Sequence, residues 1–355
     1  MHSCSLSGIK EVNVMLDTPN SKTYFEHPGK VIEVNNKFKL VMAIALDPTT
    51  RHKEGIVRCV ISREGDLEIS GYIDRSELHI IKGDSLEHFV IGERLKMRNE
   101  DEVIKQFAGD GWDLIGLEDP DIFIDKTTSL THIYFTIPFL IKSKGLTSVN
   151  LGHAVGPNLN SLEMTMPVLL ADEKNVCAKE VSIAPTNKLG VRYNLVESND
   201  HVDNIWFSTV RVAIAKDLGK SWKFGETVFH PNEHKIPWIA GHASPGPLLP
   251  KTFIDPGHGK MLGIINGREA NQIIGKDIKY GMFSVGLFIY DYEKGKIDWV
   301  SPDPLIQDSQ AKTITFASQF VGTTEGEGIL YAHVDDSFVR AYTLYAGGIR
   351  LLLPI

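Results

Sequence analysis

The chain has 355 residues, 42% of them hydrophobic and 23% charged, which is the composition of an ordinary globular protein. Its formal net charge is −8, and acids and bases are interspersed, which argues against nucleic acid as a partner. Cys4, Cys59 and Cys177 are far apart and form no CxxC pair, so neither a cysteine-based zinc site nor a disulfide framework is indicated. No apolar run approaches about 18 residues, and the first residues do not resemble a signal peptide. We therefore expect a cytoplasmic protein that does not span a membrane.

Short apolar stretches, typical of β-strands, dominate the chain and recur at intervals of roughly ten residues. Residues 30–34 and 38–46 flank the turn pair Asn35-Asn36 and predict a hairpin. Helical periodicity is weak and indicates one short helix around residues 101–107. Further strands are predicted at 56–62, 121–124, 133–139, 148–151, 191–196, 210–215, 261–265, 283–290, 313–316, 328–332 and 339–344.

This pattern is typical of an all-β sandwich, barrel or propeller. Internal echoes of about 45–65 residues, each with about four strands, favour the propeller. We predict an all-β, five-bladed β-propeller that forms one domain over residues 1–355, with segment 1–24 closing or flanking it. Because a propeller binds its ligand at one mouth of the central channel, site residues should be scattered at blade-sized intervals.

The stretch at residues 116–124 combines two adjacent carboxylates, a proline and an apolar run. Pro120 disfavours the helical region for Asp119 and predicts an extended backbone there. Residues 122–124 then predict the start of a buried strand. A carboxylate at the start of a strand suits chemistry, but it is also a common way to begin a strand. Both interpretations stay open on this stretch alone.

Residues 116–120, Gly-Leu-Glu-Asp-Pro, resemble the G-[VI]-E-D-P-R phrase of glycoside hydrolase family 130, the mannoside phosphorylases and mannosidases. Further similar phrases follow in the family's order, at 178–185, 212–222, 242–248, 262–267, 280–291 and 331–337. The resemblance covers roughly residues 25–345. It implies a five-bladed propeller that acts on a carbohydrate and places Asp119 at the start of the innermost strand of a second blade.

The resemblance also implies where a phosphorylase would hold phosphate. Lys179 matches the family's lysine, but other cationic positions fall on Asp121, Glu197, Asn266 and the region of Ile44. A phosphate dianion needs several positively charged donors, so phosphorolysis is not favoured. Some hydrolytic relatives carry glutamates at such positions, and Glu197 is therefore predicted to be the general base of an inverting hydrolysis.

The family's general acid follows a T-Y-T-A-x-D phrase, and the corresponding residues here, 134–140, contain no acid. Protonation of the leaving group thus has no donor unless another blade supplies one.

Candidate site residues follow from the resemblance and from residue type. The predicted catalytic residues are Asp119, Glu197 and Asp336, with Asp119 and Asp336 holding sugar hydroxyls. The predicted sugar contacts are Glu118, Asp121, Lys179, Trp238, His242, Asn266, Arg268, His153, Asp47 and Arg58. A structural role is the alternative for each, as a cap, a turn residue or a packed side chain. His230 and His234 have metal-ligand spacing, but Pro231 favours a turn there, and we predict no metal and no cofactor.

The prediction for function is hydrolysis of a mannoside or related glycoside, independent of phosphate. A non-catalytic propeller that binds a glycan or small ligand is the first alternative, and a phosphorylase with a rearranged phosphate site is the second. Carbohydrate is the one partner predicted, and a homo-oligomer is left open.

Overall fold

The computed structural model describes residues 22–34, 37–69, 71–143, 145–172, 177–203 and 205–354. The strands of this part of the chain form five blades of four main strands each, arranged around a central channel. The chain is therefore an all-β, five-bladed β-propeller, as the sequence predicts.

The elements follow one another blade by blade. The opening strands and blade 1 are β1 (Tyr24–Glu26), β2 (Ile32–Glu33), β3 (Leu40–Leu46), β4 (Glu54–Glu64), β5 (Ile73–Ser85) and β6 (His88–Arg94). Blade 2 and the elements before it are β7 (Met97–Arg98), α1 (Glu100–Phe107), β8 (Trp112–Leu114), β9 (Glu118–Ile124), β10 (Thr131–Ile141), β11 (Leu146–Gly156) and β12 (Leu162–Leu169). Blade 3 is β13 (Lys179–Ser182), β14 (Arg192–Val202), β15 (Ile205–Ala215) and β16 (Lys223–Phe229), followed by α2 (Pro231–His234).

Blade 4 carries an additional hairpin. Its elements are β17 (His242–Leu248), β18 (Lys260–Arg268), the hairpin β19 (Gln272–Ile274) and β20 (Asp277–Lys279), then β21 (Phe283–Asp291) and β22 (Lys296–Val300). Blade 5 is β23 (Thr315–Thr324), β24 (Glu327–Val334) and β25 (Phe338–Tyr345), followed by α3 (Ala346–Arg350). Short 3₁₀ helices span Pro48–Thr50 and Pro237–Ile239. No helix in the described ranges is long and apolar enough to cross a membrane.

The first strand closes the ring, because β1 pairs antiparallel with β25 and becomes the outermost strand of blade 5. Arg340 holds this closure by ion pairs to Glu26 at 2.5 Å and to Asp308 at 3.2 Å.

The hairpin predicted over residues 30–46 is wrong, since β2 pairs in parallel with β6 and β3 pairs with β4. Burial of the β2 residue Ile32 against the last blade decides its position, and the predicted turn pair lies outside the described residues. The short helix predicted around 101–107 is confirmed as α1.

The hydrophobic core lies between the blades rather than within one layer. Five large clusters of buried side chains each join two neighbouring blades, and one of them packs Ile56 and Leu78 of blade 1 against Phe135 of blade 2. Middle strands such as β10 are covered on both faces. This double burial explains their continuous apolar runs, because neither face is available to polar side chains.

Each innermost strand is interrupted by a bulge, and residues of all five bulges line one cavity. The register of the ladder shifts at Ala43 in β3, at Asp119-Pro120 in β9 and at Glu180 in β13, and again at residues 246–247 and at Ser318. Ala43, Asp119 and Glu180 have φ of 49°, 47° and 51°. The extended backbone predicted for Asp119 is therefore wrong. The bulge imposes a left-handed conformation that Pro120 does not prevent.

Two residues predicted to contact a sugar are part of the packing between blades. Asn266 of blade 4 donates to the Ala317 carbonyl at 3.0 Å and accepts from the Ala317 amide at 2.8 Å, so it joins blades 4 and 5. The Trp238 indole packs directly against the backbone of Gly267 and Gly286 and donates to the Ser301 carbonyl at 3.1 Å. Both side chains are buried, and packing between the blades accounts for them, so their contact with a sugar stays a prediction.

Replacing Asn266 by alanine should lower the free energy of unfolding by about 3 kcal/mol, because both backbone groups of Ala317 lose their partner in a buried place. Urea unfolding followed by circular dichroism measures this change. Asn160→Ala is the matched control, since Asn160 is exposed and its loss should cost less than about 0.5 kcal/mol. Equal stability of the two variants would contradict the inter-blade role of Asn266.

Candidate active site

Polar side chains from all five blades meet at the end of the channel where the innermost strands begin. Glu118, Lys179 and His242 are the first residues of β9, β13 and β17. Arg58 reaches the same place from β4, and Asp336 reaches it from the loop between β24 and β25. The fold thus brings together residues that are far apart in the sequence.

Arg58 binds two carboxylates at once. Its guanidinium donates to Asp119 Oδ1 at 2.9 Å and to Glu118 Oε1 at 2.7 Å, while Nε donates to the Ser76 hydroxyl at 2.9 Å. All three charged side chains are largely buried. Burial and the proximity of Asp119 raise the pKa of Glu118 to about 7, although the charge of Arg58 opposes this rise. Arg58 therefore neutralises the carboxylates of blade 2 and fixes their positions.

Glu197 links a lysine to a histidine. Its two carboxylate oxygens lie 3.6 Å from Lys179 Nζ and 3.2 Å from His242 Nε2. Glu197 is only 1% exposed. Burial alone would raise its pKa, but His242 and Lys179 outweigh that effect and hold the pKa of Glu197 at about 2. The carboxylate is ionised and each of its oxygens already faces a basic group.

Asp336 is a second ionised carboxylate, supplied by blade 5. His333 Nε2 lies 3.1 Å from Asp336 Oδ1, and the Tyr72 hydroxyl donates to Oδ2 at 2.8 Å. Burial would raise the pKa of Asp336, but the hydrogen bond and charge of His333 together with Tyr72 and Arg58 lower it to about 2. Its backbone is left-handed, with φ of 44°, which turns the side chain of this loop residue toward blade 1.

Glu180 and Asp119 form a pair of carboxyl groups that share a hydrogen bond. They stand on the bulges of neighbouring strands and line a cavity of about 180 Å³ in the channel. Burial, the charge of Asp119 and their shared hydrogen bond raise the pKa of Glu180 well above its usual value. This shift favours the protonated form of Glu180, while Asp119 is tied to Arg58. Sequence reasoning missed Glu180, although it directly follows Lys179.

Asp121 lines the same cavity as Glu180. Burial raises its pKa to about 7. The side chain of Asp121 is therefore a second carboxyl group that exchanges its proton near neutral pH.

Arg268 and a group of aromatic rings form the blade 4 and blade 5 side of the mouth. The Arg268 guanidinium lies 4.2 Å from the centroid of the Tyr280 ring and 5.3 Å from that of Phe283. Its buried Nε has no hydrogen-bond partner. Phe316 stacks on His333 at 5.1 Å. These aromatic residues were not predicted, but rings with an apolar face next to charged groups suit a sugar.

Two further predicted contacts lie elsewhere in the fold. His153 is fully buried, and its ring is hydrogen-bonded to His132 at 2.9 Å and to Thr165 at 2.8 Å. Asp47 caps the 3₁₀ helix that follows β3 by accepting from the Thr49 amide at 2.8 Å. Packing accounts for His153 and capping accounts for Asp47, and the contact of either residue with a sugar stays a prediction.

No group of three or more histidine, cysteine, aspartate or glutamate side chains within the described ranges is arranged to hold a metal. Of the pair with metal-ligand spacing, His230 caps the Asn232 amide and His234 stacks on Phe229.

Glu197→Gln tests the ion pairs at the mouth. Because the folded pKa of Glu197 is lowered from 4.5 to about 2, its contribution is complete above about pH 4.5 and disappears as the pH falls toward 2. The variant should therefore lose on the order of 3 kcal/mol at pH 7 and much less at pH 3. Urea unfolding at both pH values measures the difference. Exposed Glu233→Gln is the control, and a pH-independent loss in Glu197→Gln would contradict the proposed pairing.

Solved structures with this fold include carbohydrate-active enzymes. A β-1,2-mannobiose phosphorylase from Listeria innocua matches with a TM-score of 0.61 and 13% identity, over 90% of this chain and 94% of its own. A second structure is from the GH130 family, described as containing glycoside hydrolases that target β-1,2-mannosidic linkages in Candida mannan. It matches with a TM-score of 0.62 and 16% identity, over 92% of this chain and 95% of its own. A thermostable family-43 glycoside hydrolase matches with a TM-score of 0.54 and 12% identity, over 85% of this chain and 88% of its own.

The fold is therefore that of the GH130 mannoside phosphorylases and hydrolases, as the order of sequence phrases implies. At these identities the likeness establishes the fold alone. No protein-family model matches the sequence, and no curated protein matches it.

Proposed function

We propose that this protein hydrolyses a mannoside or a related glycoside with inversion at the anomeric carbon, and that phosphate takes no part. One observation carries the proposal. A carboxyl group whose pKa is raised well above its usual value, that of Glu180, stands beside Asp119 in the channel and is suited to be the proton donor that the sequence lacks within β10. Groups whose pKa values are driven apart by their surroundings are suited to opposite roles in acid–base catalysis.

In the proposed reaction Glu180 gives its proton to the glycosidic oxygen while the bond from that oxygen to the anomeric carbon breaks. Asp336, ionised by His333 and Tyr72, takes a proton from the water that attacks the anomeric carbon from the opposite side. The products are the leaving alcohol and a sugar of inverted configuration. An inverting pair needs about 6.5–9.5 Å between its carboxyl groups to hold that water.

Glu197 has a different role in this proposal from the one predicted from the sequence. Both of its oxygens lie next to basic groups, and it is 1% exposed against 8% for Asp336, so water has less access to Glu197 than to Asp336. We assign it the positioning of Lys179 and His242. Asp119, which Arg58 holds in place, stabilises the proton on Glu180. The buried Nε of Arg268 has no hydrogen-bond partner and is available to a sugar hydroxyl.

The charge balance at the mouth supports hydrolysis over phosphorolysis. Arg58 is neutralised by Glu118 and Asp119, and Lys179 lies next to Glu197. A phosphate dianion would have to displace these carboxylates from the cations at a considerable cost in free energy. The same pairing favours one alternative, a propeller that binds a glycan without cleaving it, because both ionised carboxylates already have partners.

Glu180→Gln should lower kcat/KM for a manno-oligosaccharide by about 10²–10⁴, because the leaving oxygen loses its proton donor. A dinitrophenyl mannoside should lose much less, since its leaving group departs without protonation. Release of reducing sugar and of dinitrophenol measures the two reactions. Glu233→Gln, an exposed change outside the mouth, should leave both rates unchanged. An equal loss on both substrates would show that Glu180 is not the acid.

Phosphate should leave the turnover rate unchanged, and the product should be the free sugar with inverted configuration. Proton nuclear magnetic resonance during turnover, with and without phosphate, identifies both the product and its first-formed anomer. A sugar phosphate would overturn the charge argument. Saturable sugar binding without turnover in calorimetry would support the binding protein instead.

A further inference from the structure

The β19–β20 hairpin is attached to the propeller only weakly. Its two strands pair with each other and with no blade strand. The described side chains from Gln272 to Lys276 and that of Ile278 are exposed, and Ile273 is 82% exposed. A two-stranded hairpin without a buried face is marginally stable by itself, so contacts at its base decide where it lies.

Those contacts reach across the ring to blade 1. Lys279 forms a β-bridge with Ile69, and its ammonium lies 2.8 Å from Glu68 Oε2. The Tyr280 amide donates to the Glu68 carbonyl at 3.1 Å. Blade 5 lies between blades 4 and 1, so this connection passes over the side of the mouth that blade 5 lines. Tyr280 and Tyr72 meet edge to face beneath it, with ring centroids 6.5 Å apart.

The charged groups below this connection are closed off from solvent. Arg268, which stacks on Tyr280, is 6% exposed, and Asp336, which accepts from Tyr72, is 8% exposed. A ligand of the size of a sugar cannot contact both side chains while the connection is in place. Catalysis or binding at these groups therefore requires the connection to open.

Opening has a small cost in free energy. The ion pair between Lys279 and Glu68 is about two-fifths exposed on each side, and ion pairs at the surface contribute little. The other described contacts include the bridge at Ile69, an amide hydrogen bond, and the contacts of the Tyr280 ring with Tyr72 and Arg268. A segment with so few buried contacts opens locally without unfolding the blades.

We propose that the β19–β20 hairpin and its contact with residues 68–69 form a strap over the candidate active site, which admits ligand only when that contact opens. The class of ligand rests on the proposed function. Once it has closed again over its ligand, a strap from blade 4 to blade 1 excludes a polysaccharide lying across the mouth, so the substrate is the terminal residue of a glycan. The first product is then a monosaccharide.

A reversible crosslink tests the strap. The Cα atoms of bridged residues in an antiparallel pair lie about 4.5–5.5 Å apart, which suits a disulfide, so Ile69→Cys/Lys279→Cys should lock the contact when oxidised. We expect the oxidised variant to lose most of its turnover of manno-oligosaccharides and to recover it when dithiothreitol is added. Wild-type protein passed through the same oxidation and reduction should keep its rate.

A readout that does not need turnover keeps the test independent of the proposed function. Diethyl pyrocarbonate modifies accessible histidines, and peptide mass spectrometry gives the rate for each one. His242 and His333 should react about tenfold more slowly in the oxidised than in the reduced variant, as expected when reaction requires local opening. His258 is exposed on another surface and should react equally in both.

Glu68→Ala provides a second variant in case the disulfide does not form. Loss of the ion pair should speed the modification of His242 about two- to fivefold. Glu93→Ala removes another exposed ion pair, with Lys96, and should have no effect.

The outcomes separate the two proposals. Slower labelling in the locked form without turnover in any form supports the strap and contradicts hydrolysis. Turnover and labelling that are both indifferent to the lock overturn the strap and leave hydrolysis intact. Release of oligosaccharides before monosaccharide contradicts cleavage at a chain end.

Discussion

The bulges of the innermost strands are the constraint on which the site depends. They line one cavity, at Ala43, Asp119, Glu180, residues 246–247 and Ser318. A left-handed backbone at a residue other than glycine costs on the order of 1–3 kcal/mol and persists only where the surrounding structure enforces it. Here it turns two neighbouring strands so that Asp119 and Glu180 share a hydrogen bond. The pair is therefore held by the framework of the blades.

The protonation states of the charged groups at the mouth also depend on their immediate neighbours. Arg58 and Lys179 are largely surrounded by carboxylates. The net contribution of such buried ion pairs to stability is small because desolvation offsets their attraction, although removing one partner alone is costly. Their effect is on protonation. Glu197 and Asp336 stay ionised with pKa values of about 2, while the pKa of Glu180 is raised well above its usual value. These contacts therefore give the site one carboxyl group with a raised pKa and two with lowered pKa values, which suits them to act as acid and bases.

Strand spacing and the order of short phrases were sufficient to predict the fold and a strand at residues 121–124, which lies within β9. They also identified residues that do meet at one mouth, among them Arg58, Glu197, His242 and Asp336. Residue type alone does not reveal what a buried side chain faces. The sequence therefore could not distinguish these residues from those engaged elsewhere in the fold, namely Asn266, Trp238, His153 and Asp47. Glu180 was missed for a physical reason. Successive strand residues normally point to opposite faces, and only the bulge puts Glu180 in the channel beside Asp119.

The proton on Glu180 is the central claim, and infrared difference spectroscopy tests it most directly. The spectrum of Glu180→Gln subtracted from that of the wild-type protein at pH 7 should contain the carbonyl band of a protonated carboxylic acid. Exposed Glu233→Gln should instead give the bands of an ionised carboxylate. If the Glu180 difference also shows only carboxylate bands, the residue is ionised at neutral pH and cannot be the proton donor.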